Sequence, residues 1–581
     1  MIKSLSTLWP YVASQRKPLA LGMGALVLKD ALAVSMPLIL KSGVDSLTSG
    51  FQLRIVVELA AVLIAVSLLK GVFQYFMRVI IIGVSRDIEY DIRNDLFAHL
   101  AALSQDFYSR YRTGDIMARS TNDLNAVRMM LGPGIMYWTE TTITLVLAVV
   151  VMLHTDVRLT LMALLPAPLV TVAVIFFGQR IHRRFEQIQR MFSDISSRVQ
   201  ENLSGVRVVR AYAQESAEVA QFEILNLDYI RENIGLARIQ GLFSPLLQSL
   251  IGLTFLLVLW MGGRQLIQHR ISLGSFVMFN TYMGILIWPM IAFGWVVNLM
   301  QRGTASLNRI NEMMHQPPTI VAPTAGRVSF DSEIDSDIVF EDVTMAFGDR
   351  AALTHLDLTI AAGETIAIVG HTGSGKTTLV NLIPRLFDPT AGIVTLGGYD
   401  LRRFDPEDLR RHIGFVPQET FLFSATLAEN IAWGVPNASR EKIARAADIA
   451  GLATDIESFP NGLDTIIGER GLTLSGGQKQ RTAIARAIIR DPRILVLDDA
   501  LSSVDTVTEE LILAGLADVM RHRTTILISH RVSTVRNAHR IVVLSAGNVV
   551  EIGTHQELLD AGGYYSELHQ KQLLEEELEA I

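Results

Sequence analysis

The 581-residue chain contains no cysteine. That one absence excludes disulfides, thiolate metal sites and cysteine nucleophiles together. Basic charge is not in excess either: 51 lysines and arginines stand against 58 aspartates and glutamates, leaving −7. Nucleic acid is therefore not an expected partner, since binding it needs a basic domain or stripe. A cleavable leader is not evident. The first long apolar stretch, Leu19–Leu40, has no small-residue cleavage pattern and carries Lys29 and Asp30 in its middle, so it reads as a retained span. No internal repeat or low-complexity tract is present. Apolar residues are abundant: half of the chain is hydrophobic, with a mean hydropathy of +0.33. Membrane spans and more than one domain are the expectation.

The apolar residues gather in the first half. Stretches able to cross a bilayer core of roughly 30 Å fall at Leu19–Leu40, Ile55–Val84, Leu131–Leu153, Leu159–Phe177, Phe243–Met261 and Leu273–Met300. Spans one and two, three and four, and five and six are joined by short loops. Long polar, helix-patterned segments, Asp87–Arg128 and Arg180–Gln240, separate the second from the third and the fourth from the fifth. The chain thus projects far on one side of the membrane. Arginines in those segments (Arg180, Arg183, Arg184) put that side in the cytosol by the positive-inside rule, although Arg264, His269 and Arg270 in a presumed outer loop run against it. An even number of spans places both termini, and with them the second half of the chain, on that same cytosolic side.

Ionisable and polar residues inside spans are functional candidates by default. Lys29 and Asp30 lie in span one, Glu140 in span three, Gln248 in span five and Asn280 in span six. A Lys29–Glu140 pair is one expected arrangement, with the adjacent Lys29 and Asp30 pointing in different directions. Span six also carries Phe279, Tyr282, Trp288, Phe293 and Trp295, with Pro289 as a potential kink. Packing and lipid contact explain such aromatics more often than a substrate cavity does.

Gln316–Asp337, with Pro317, Pro318 and Pro323, reads as a linker. The expected layout is a membrane domain over 1–315, the linker over 316–337 and a second domain over 338–581. In the second domain, short apolar runs (Thr365–Val369, Ile413–Val416, Ile494–Leu497, Thr525–Ile528, Ile541–Leu544) alternate with helical stretches, which indicates an α/β fold with a mostly parallel sheet. The last stretch, Gln572–Ile581, is acidic and helix-prone and reads as a solvated terminal helix.

The residues Gly370, His371, Thr372, Gly373, Ser374, Gly375, Lys376 and Thr377 match the phosphate-binding loop in its proper context, after an apolar strand and before a helix that continues through Thr378. Glycines let the backbone curl so that N–H groups face phosphate oxygens. Lys376 supplies charge to the β- and γ-phosphates, and the Thr377 hydroxyl is a Mg²⁺ ligand. A later apolar strand ends in Asp498 and Asp499. Asp498 is expected to hold Mg²⁺, and Asp499 to stand where a base for the attacking water belongs.

Leu474-Ser475-Gly476-Gly477-Gln478 resembles the signature of ATP-binding cassette (ABC) proteins, and the resemblance extends over nearly the whole chain. It implies a six-helix membrane domain followed by a P-loop cassette, in the layout of exporters. It implies that Ser475, Gly476, Gly477 and Gln478 contact ATP held by a second chain, so that each active site is shared. Phe347 matches the adenine-stacking position, where the family more often has Tyr, and Gln418 matches the glutamine that touches Mg²⁺ and the attacking water. His530 matches the switch histidine, Ser502–Asp505 the loop that communicates across the dimer, and Glu469-Arg470-Gly471 an exporter-type loop that contacts the membrane domain. Coupling segments are expected near Arg112–Asp115 and Arg210–Ala213, with Arg210 and Tyr212 singled out in the second. ATP and Mg²⁺ are the implied cofactors. A second half-transporter, the bilayer and an amphipathic small-molecule, lipid or peptide substrate are the implied partners, with the inner (cytoplasmic) membrane of the cell as location.

One departure stands out. The family usually has Glu where this chain has Asp499. Asp is shorter by one C–C bond, roughly 1.5 Å, and a misplacement of about 1 Å costs on the order of 10²-fold in rate. In the family this substitution often marks one chain of a heterodimer, with a weak site and a competent one. The alternative is a homodimer with two slow sites. Two further alternatives keep the cassette without pumping: a mechanical switch on a partner that is not transported, and an ATP-gated channel or regulator.

Overall fold

The computed structural model describes residues 5–49, 52–331, 334–468 and 474–579. The chain forms two compact units. One contains residues 1–101 and 112–316; the other contains 102–111 and 317–581. All of the residues read as a linker except Gln316 thus group with the second unit, as does the short segment between the second and third long helices.

In the first unit, six helices among the described residues are long and apolar enough to cross a membrane: Arg16–Thr48, Leu53–Ala102, Thr113–Thr155, Val157–Ser204, Glu215–Ile267 and Leu273–Met314. Several greatly exceed a bilayer. At 1.5 Å per residue, the second helix is about 75 Å long, so its polar half runs on well past the roughly 30 Å apolar core. The expected helix-patterned extensions are therefore continuous with the spans. The third helix contains π-turns at Arg119–Asp123 and Met130–Gly134. The sixth remains helical through Pro289.

Polar contacts and small residues hold these helices together. Asp123 accepts from Ser306 at 2.9 Å and from Arg309 Nε at 2.8 Å, joining the third helix to the sixth. Gly303 lies so close to Met130 that an added Cβ would come within 2.4 Å of its side chain. Small residues at crossings let membrane helices approach in this way. The buried Tyr282 hydroxyl donates to the Val34 carbonyl at 2.5 Å.

The second unit carries two sheets. Strands β1 (Ile338–Phe347), β2 (Arg350–Ile360), β4 (Ala391–Leu396) and β5 (Tyr399–Asp400) form an antiparallel sheet in the order β2-β1-β4-β5. Strands β3 (Thr365–Gly370), β6 (Ile413–Val416), β7 (Ile494–Asp498), β8 (Thr524–Ile528), β9 (Arg540–Ser545) and β10 (Asn548–Gly553) form the other, ordered β10-β9-β3-β8-β7-β6. The pairs β9·β3, β3·β8, β8·β7 and β7·β6 are parallel, and β10 is antiparallel to β9. Every residue of β3, β7 and β8 is buried, which is why their sequences read as continuous apolar runs. The antiparallel sheet is absent from the sequence reading, because bulges interrupt the alternation of its half-buried strands.

The end of the sequence is helical as expected, with Leu573 and Leu574 exposed, but the helix begins earlier and two of its residues are engaged by the protein. Tyr565, on the helix Tyr564–Glu579, is fully buried. Gln572 is engaged by protein backbone rather than left in solvent.

Candidate functional site: a phosphate loop and its facing strand ends

In a parallel sheet, ligands collect at the carboxyl ends of the strands. Here four adjacent strands deliver residues to one such edge. Gly370 closes β3, Asp498 closes β7, His530 follows β8 by two residues and Gln418 follows β6 by two. A cavity of about 200 Å³ is lined by Thr372, Gly373, Ser374, Gly375, Lys376, Thr377, Thr378, Gln418, Asp498, Asp499 and His530, with Ala352 and Ile528. The phosphate loop, both aspartates, the glutamine and the histidine therefore converge, although up to 158 residues separate them in sequence (530 − 372).

Glycine is required in the loop itself. Gly375 sits at φ +101°, and a Cβ there would lie 2.5 Å from the Ala352 carbonyl. Gly370 sits at φ +151°, with the Leu544 carbonyl 2.2 Å from where a Cβ would go. The Lys376 ammonium donates to the carbonyls of Gly370 and His371, both at 2.8 Å. Burial lowers its pKa, partly offset by Asp498 and Asp499. Asp498 is buried and its pKa is raised, first by desolvation and then by the Asp499 charge, against a hydrogen bond with Thr377 and the charge of Lys376. Its Oδ2 has no hydrogen-bond partner. Such an orphaned carboxylate oxygen beside a threonine hydroxyl and a glutamine amide is a hard-oxygen donor set that fits Mg²⁺. Among the described residues no three His, Asp or Glu side chains form a metal cluster. A cation here would complete its shell from phosphates and water.

Asp499 adopts a left-handed conformation, φ +50°. Its N–H donates to the Ile528 carbonyl at 3.0 Å, and its own carbonyl accepts from Ser502 Oγ at 3.0 Å and Gln480 Nε2 at 3.4 Å. His530 is pulled below the ordinary histidine value by burial and by Lys376, with Asp499 acting the other way. A neutral imidazole results at neutral pH.

Phe347 does not line this cavity. It sits exposed at the end of the β1–β2 hairpin, edge-on to Phe387 with ring centroids 5.3 Å apart. The signature residues also lie apart from it. Ser475 caps the helix Gly476–Ile488 in a reciprocal box, accepting from Gln478 N at 3.2 Å while Gln478 Oε1 accepts from Ser475 N at 2.9 Å. Ser475 and Gly476 are exposed. A Cβ on Gly477 would fall 3.0 Å from the Ser503 carbonyl, so the glycine permits close approach of the Ser502–Asp505 loop. Glu469, Arg470 and Gly471 lie outside the described residues. Arg112 and Asp115 stand at the start of the third long helix. Arg210 lies in the last turn of the short helix Val206–Ala211, and the exposed Tyr212 follows that helix.

Sequence reasoning did not single out Gln480. It is buried and donates to Ser502 Oγ at 2.9 Å, accepts from Ser503 N at 2.9 Å and reaches the Asp499 carbonyl. Its place two residues after the signature was the available signal.

In the membrane unit, a cavity of about 580 Å³ is lined by Lys29, Asp30, Lys70, Glu140, Trp288 and neighbouring apolar and threonine residues. Lys29 Nζ lies 2.5 Å from Glu140 Oε1 and 2.7 Å from Asp30 Oδ1. The pair with Glu140 is as expected. The expectation that Lys29 and Asp30 point apart is not met, because the long lysine side chain folds back to reach its neighbour. Asn280 instead donates to the Phe276 carbonyl of its own helix, and Gln248 is exposed. Of the span-six aromatics only Trp288 lines the cavity. Phe279 and Tyr282 are buried in the helix core, and Trp295 and Phe293 pack against Tyr137 and Trp138.

Comparison with known proteins agrees with this layout. Residues 19–290 match the ABC transporter transmembrane region, and residues 353–502 match the ABC transporter domain. The probable multidrug resistance ABC transporter ATP-binding/permease protein YheI of Bacillus subtilis is 36% identical over 94% of both chains. The chain belongs to the ABC transporter family. An ATP-dependent lipid A-core flippase of Syntrophus aciditrophicus is 35% identical, covering 96% of this chain and 93% of its own. A solved bacterial Atm1-family ABC exporter superposes with a TM-score of 0.79 at 27% identity, covering 97% of this chain and 99% of that one. This ABC exporter is a multi-pass protein of the cytoplasmic membrane that couples ATP hydrolysis to transport and, like its family, acts as a dimer in the bilayer.

Proposed function

We propose that this chain is one half of a heterodimeric exporter that moves an amphipathic or hydrophobic substrate outward by alternating access, and that its own ATP site is the weak one. The observation that carries the proposal is an aspartate, Asp499, at the base position in a chain whose signature is complete. Lys376 and the loop N–H groups would hold the phosphates of ATP. Thr377, Gln418 and Asp498 would hold Mg²⁺, which would supply positive charge to offset that of the phosphates. Phe347 would stack on adenine, and neutral His530 would hydrogen-bond the γ-phosphate. Asp499, one methylene short, would accept a proton from water inefficiently. Ser475, Gly476, Gly477 and Gln478 would complete the partner chain's site, whose glutamate works.

Closure of two cassettes on two nucleotides would pass to the spans through the segments near Arg112–Asp115 and Arg210–Tyr212. The cassette and both termini would face the cytosol, where ATP is. The membrane cavity would take the substrate, its apolar walls accepting a hydrophobic body and its Lys29–Asp30–Glu140 cluster a polar end. The names of the relatives, multidrug and lipid transporters, support an amphipathic cargo.

Two measurements test this. Tagged chain extracted from its native membrane should carry a second, glutamate-bearing ABC chain in equal amount, seen by mass spectrometry; recovery of a pure homodimer refutes the heterodimer. Inverted vesicles holding the complex should accumulate an amphipathic dye with ATP and stop when Lys376→Ala is combined with loss of the partner chain's own phosphate-loop lysine. ATP-dependent leakage of a preformed gradient would instead mark a gated channel.

A further inference from the structure

His530 has its backbone set by a residue 42 positions away in the chain. Between β8 and the helix Val532–Val535, the segment Ser529–Arg531 belongs to no helix or strand. The carboxamide of Gln572 bridges it. Its Nε2 donates to the His530 carbonyl, and its Oε1 accepts from Val532 N at 2.7 Å. A primary amide is planar and rigid, with donor and acceptor on the same carbon. Bonded on both sides of Arg531, it holds the two peptide planes that flank Arg531, and the first of these is also one of the two planes that meet at the His530 Cα and so restrains where the imidazole can go. Arg531 is restrained separately. Its N–H donates to Ser529 Oγ at 3.0 Å, and its guanidinium donates to the Val504 carbonyl at 3.0 Å and to the buried Glu509 carboxylate.

The helix that carries Gln572 is itself anchored. The Glu551 carboxylate accepts from Tyr564 N at 2.7 Å and Tyr565 N at 3.3 Å. The Tyr565 ring is fully buried, with its hydroxyl 2.7 Å from His555 Nδ1. The Tyr564 ring meets His371 of the phosphate loop edge-on, with ring centroids 4.5 Å apart. Eight residues on, about 12 Å along the axis, Gln572 reaches the switch segment. One helix therefore touches both the phosphate loop and the backbone of the histidine that faces it across the cavity.

We infer that Gln572 is a positioning residue for His530, and that the carboxyl-terminal helix holds the histidine in register with the phosphate loop. This rests on the reading that His530 serves ATP held by this chain. A displacement of the imidazole by about 1 Å is enough to lose on the order of 10²-fold in rate. Loss of the amide frees the peptide planes to make such a shift.

The test uses the full chain in lipid with Asp499→Glu as background, so that its own site turns over. Gln572→Ala should lower kcat for ATP hydrolysis about 10- to 100-fold, with KM for ATP unchanged. Gln572→Glu, which keeps the acceptor for Val532 N–H and loses the donor to His530, should fall between. Gln572→Ala added to His530→Ala should slow the enzyme no further than His530→Ala alone. Additive losses, or a raised KM at unchanged kcat, would overturn the inference and leave Gln572 a helix-docking residue. Amide exchange read by mass spectrometry provides a measure independent of turnover. Gln572→Ala should speed exchange across residues 529–533 and leave β8 unchanged; unaltered exchange there also overturns the inference. Absence of turnover in the Asp499→Glu background would count against the reading of Asp499, while the exchange experiment still decides the role of Gln572.

Discussion

Replacing Asp499 with Glu should speed ATP hydrolysis at this chain's own site. The added methylene extends the carboxylate by roughly 1.5 Å. An aspartate could make up that distance only if its backbone moved toward the cavity, and here the backbone is pinned. The Asp499 N–H is bonded to Ile528 and its carbonyl to Ser502 and Gln480, the last a buried side chain on the signature helix. The shortfall therefore remains, and about 10²-fold in rate, or about 2.7 kcal/mol of barrier, is the expected gain. A longer side chain tolerates the left-handed conformation at φ +50° less well than Asp, a penalty of about 1 kcal/mol on folding that does not bear on the chemical step. The assay is phosphate release by the purified chain in lipid, where self-pairing supplies an intact signature, with Lys376→Ala as the blank. If the unmodified chain already turns over within about threefold (0.65 kcal/mol) of Asp499→Glu, and Lys376→Ala abolishes both, then Asp499 reaches the water and the weak-site argument is refuted.

Other expectations are briefer. Gly375→Ala should abolish binding of a fluorescent ATP analogue, because its Cβ would lie 2.5 Å from the Ala352 carbonyl at a φ of +101°; binding within twofold of the parent would contradict the loop geometry. Lys29→Met should destabilise the membrane unit by about 3–5 kcal/mol, since it leaves Asp30 and Glu140 without their shared cation. Adding Glu140→Gln should restore part of that loss, read as thermal unfolding in detergent. Burial, and then the charge of Lys376, hold His530 below the ordinary histidine value, so it is neutral at pH 7 and protonates only on the acid side of the usual histidine range. Hydrolysis in the Asp499→Glu background should hold across pH 7–8 and decline on the acid side; a profile whose acid limb is the same in His530→Gln would assign that limb to another group.

The motifs were legible because they are local. Consecutive residues from Gly370 to Thr377 must be glycine-rich and end in Lys-Thr if backbone N–H groups are to surround a phosphate, and that demand is written in adjacent positions. The same holds for the six apolar stretches, since a bilayer of fixed thickness imposes a minimum run of apolar residues, and for the all-buried strands β3, β7 and β8. The half-exposed antiparallel sheet escaped notice because bulges break its alternation, and burial there depends on what packs across from it.

What the sequence by itself determined is the class of machine: six spans, a phosphate loop, a signature and an aspartate where a glutamate is usual. What only the tertiary structure decided is which distant residues meet. The positions of Lys29 and Glu140 in their spans point to a pair, but the simultaneous contact of Lys29 with Asp30 depends on how a flexible side chain folds within the cavity. Gln480 and Gln572 carry no motif that announces a role, for an amide is as common on a solvated helix as in a buried bridge. Their functions arise from the sheet order, which brings the ends of β7 and β8 side by side, and from a terminal helix held by Tyr565 and Glu551 against that edge. Hydrogen bonds between residues 19 and 42 positions apart leave no periodicity in a sequence; they exist only once the backbone has been folded to bring their partners within 3.5 Å.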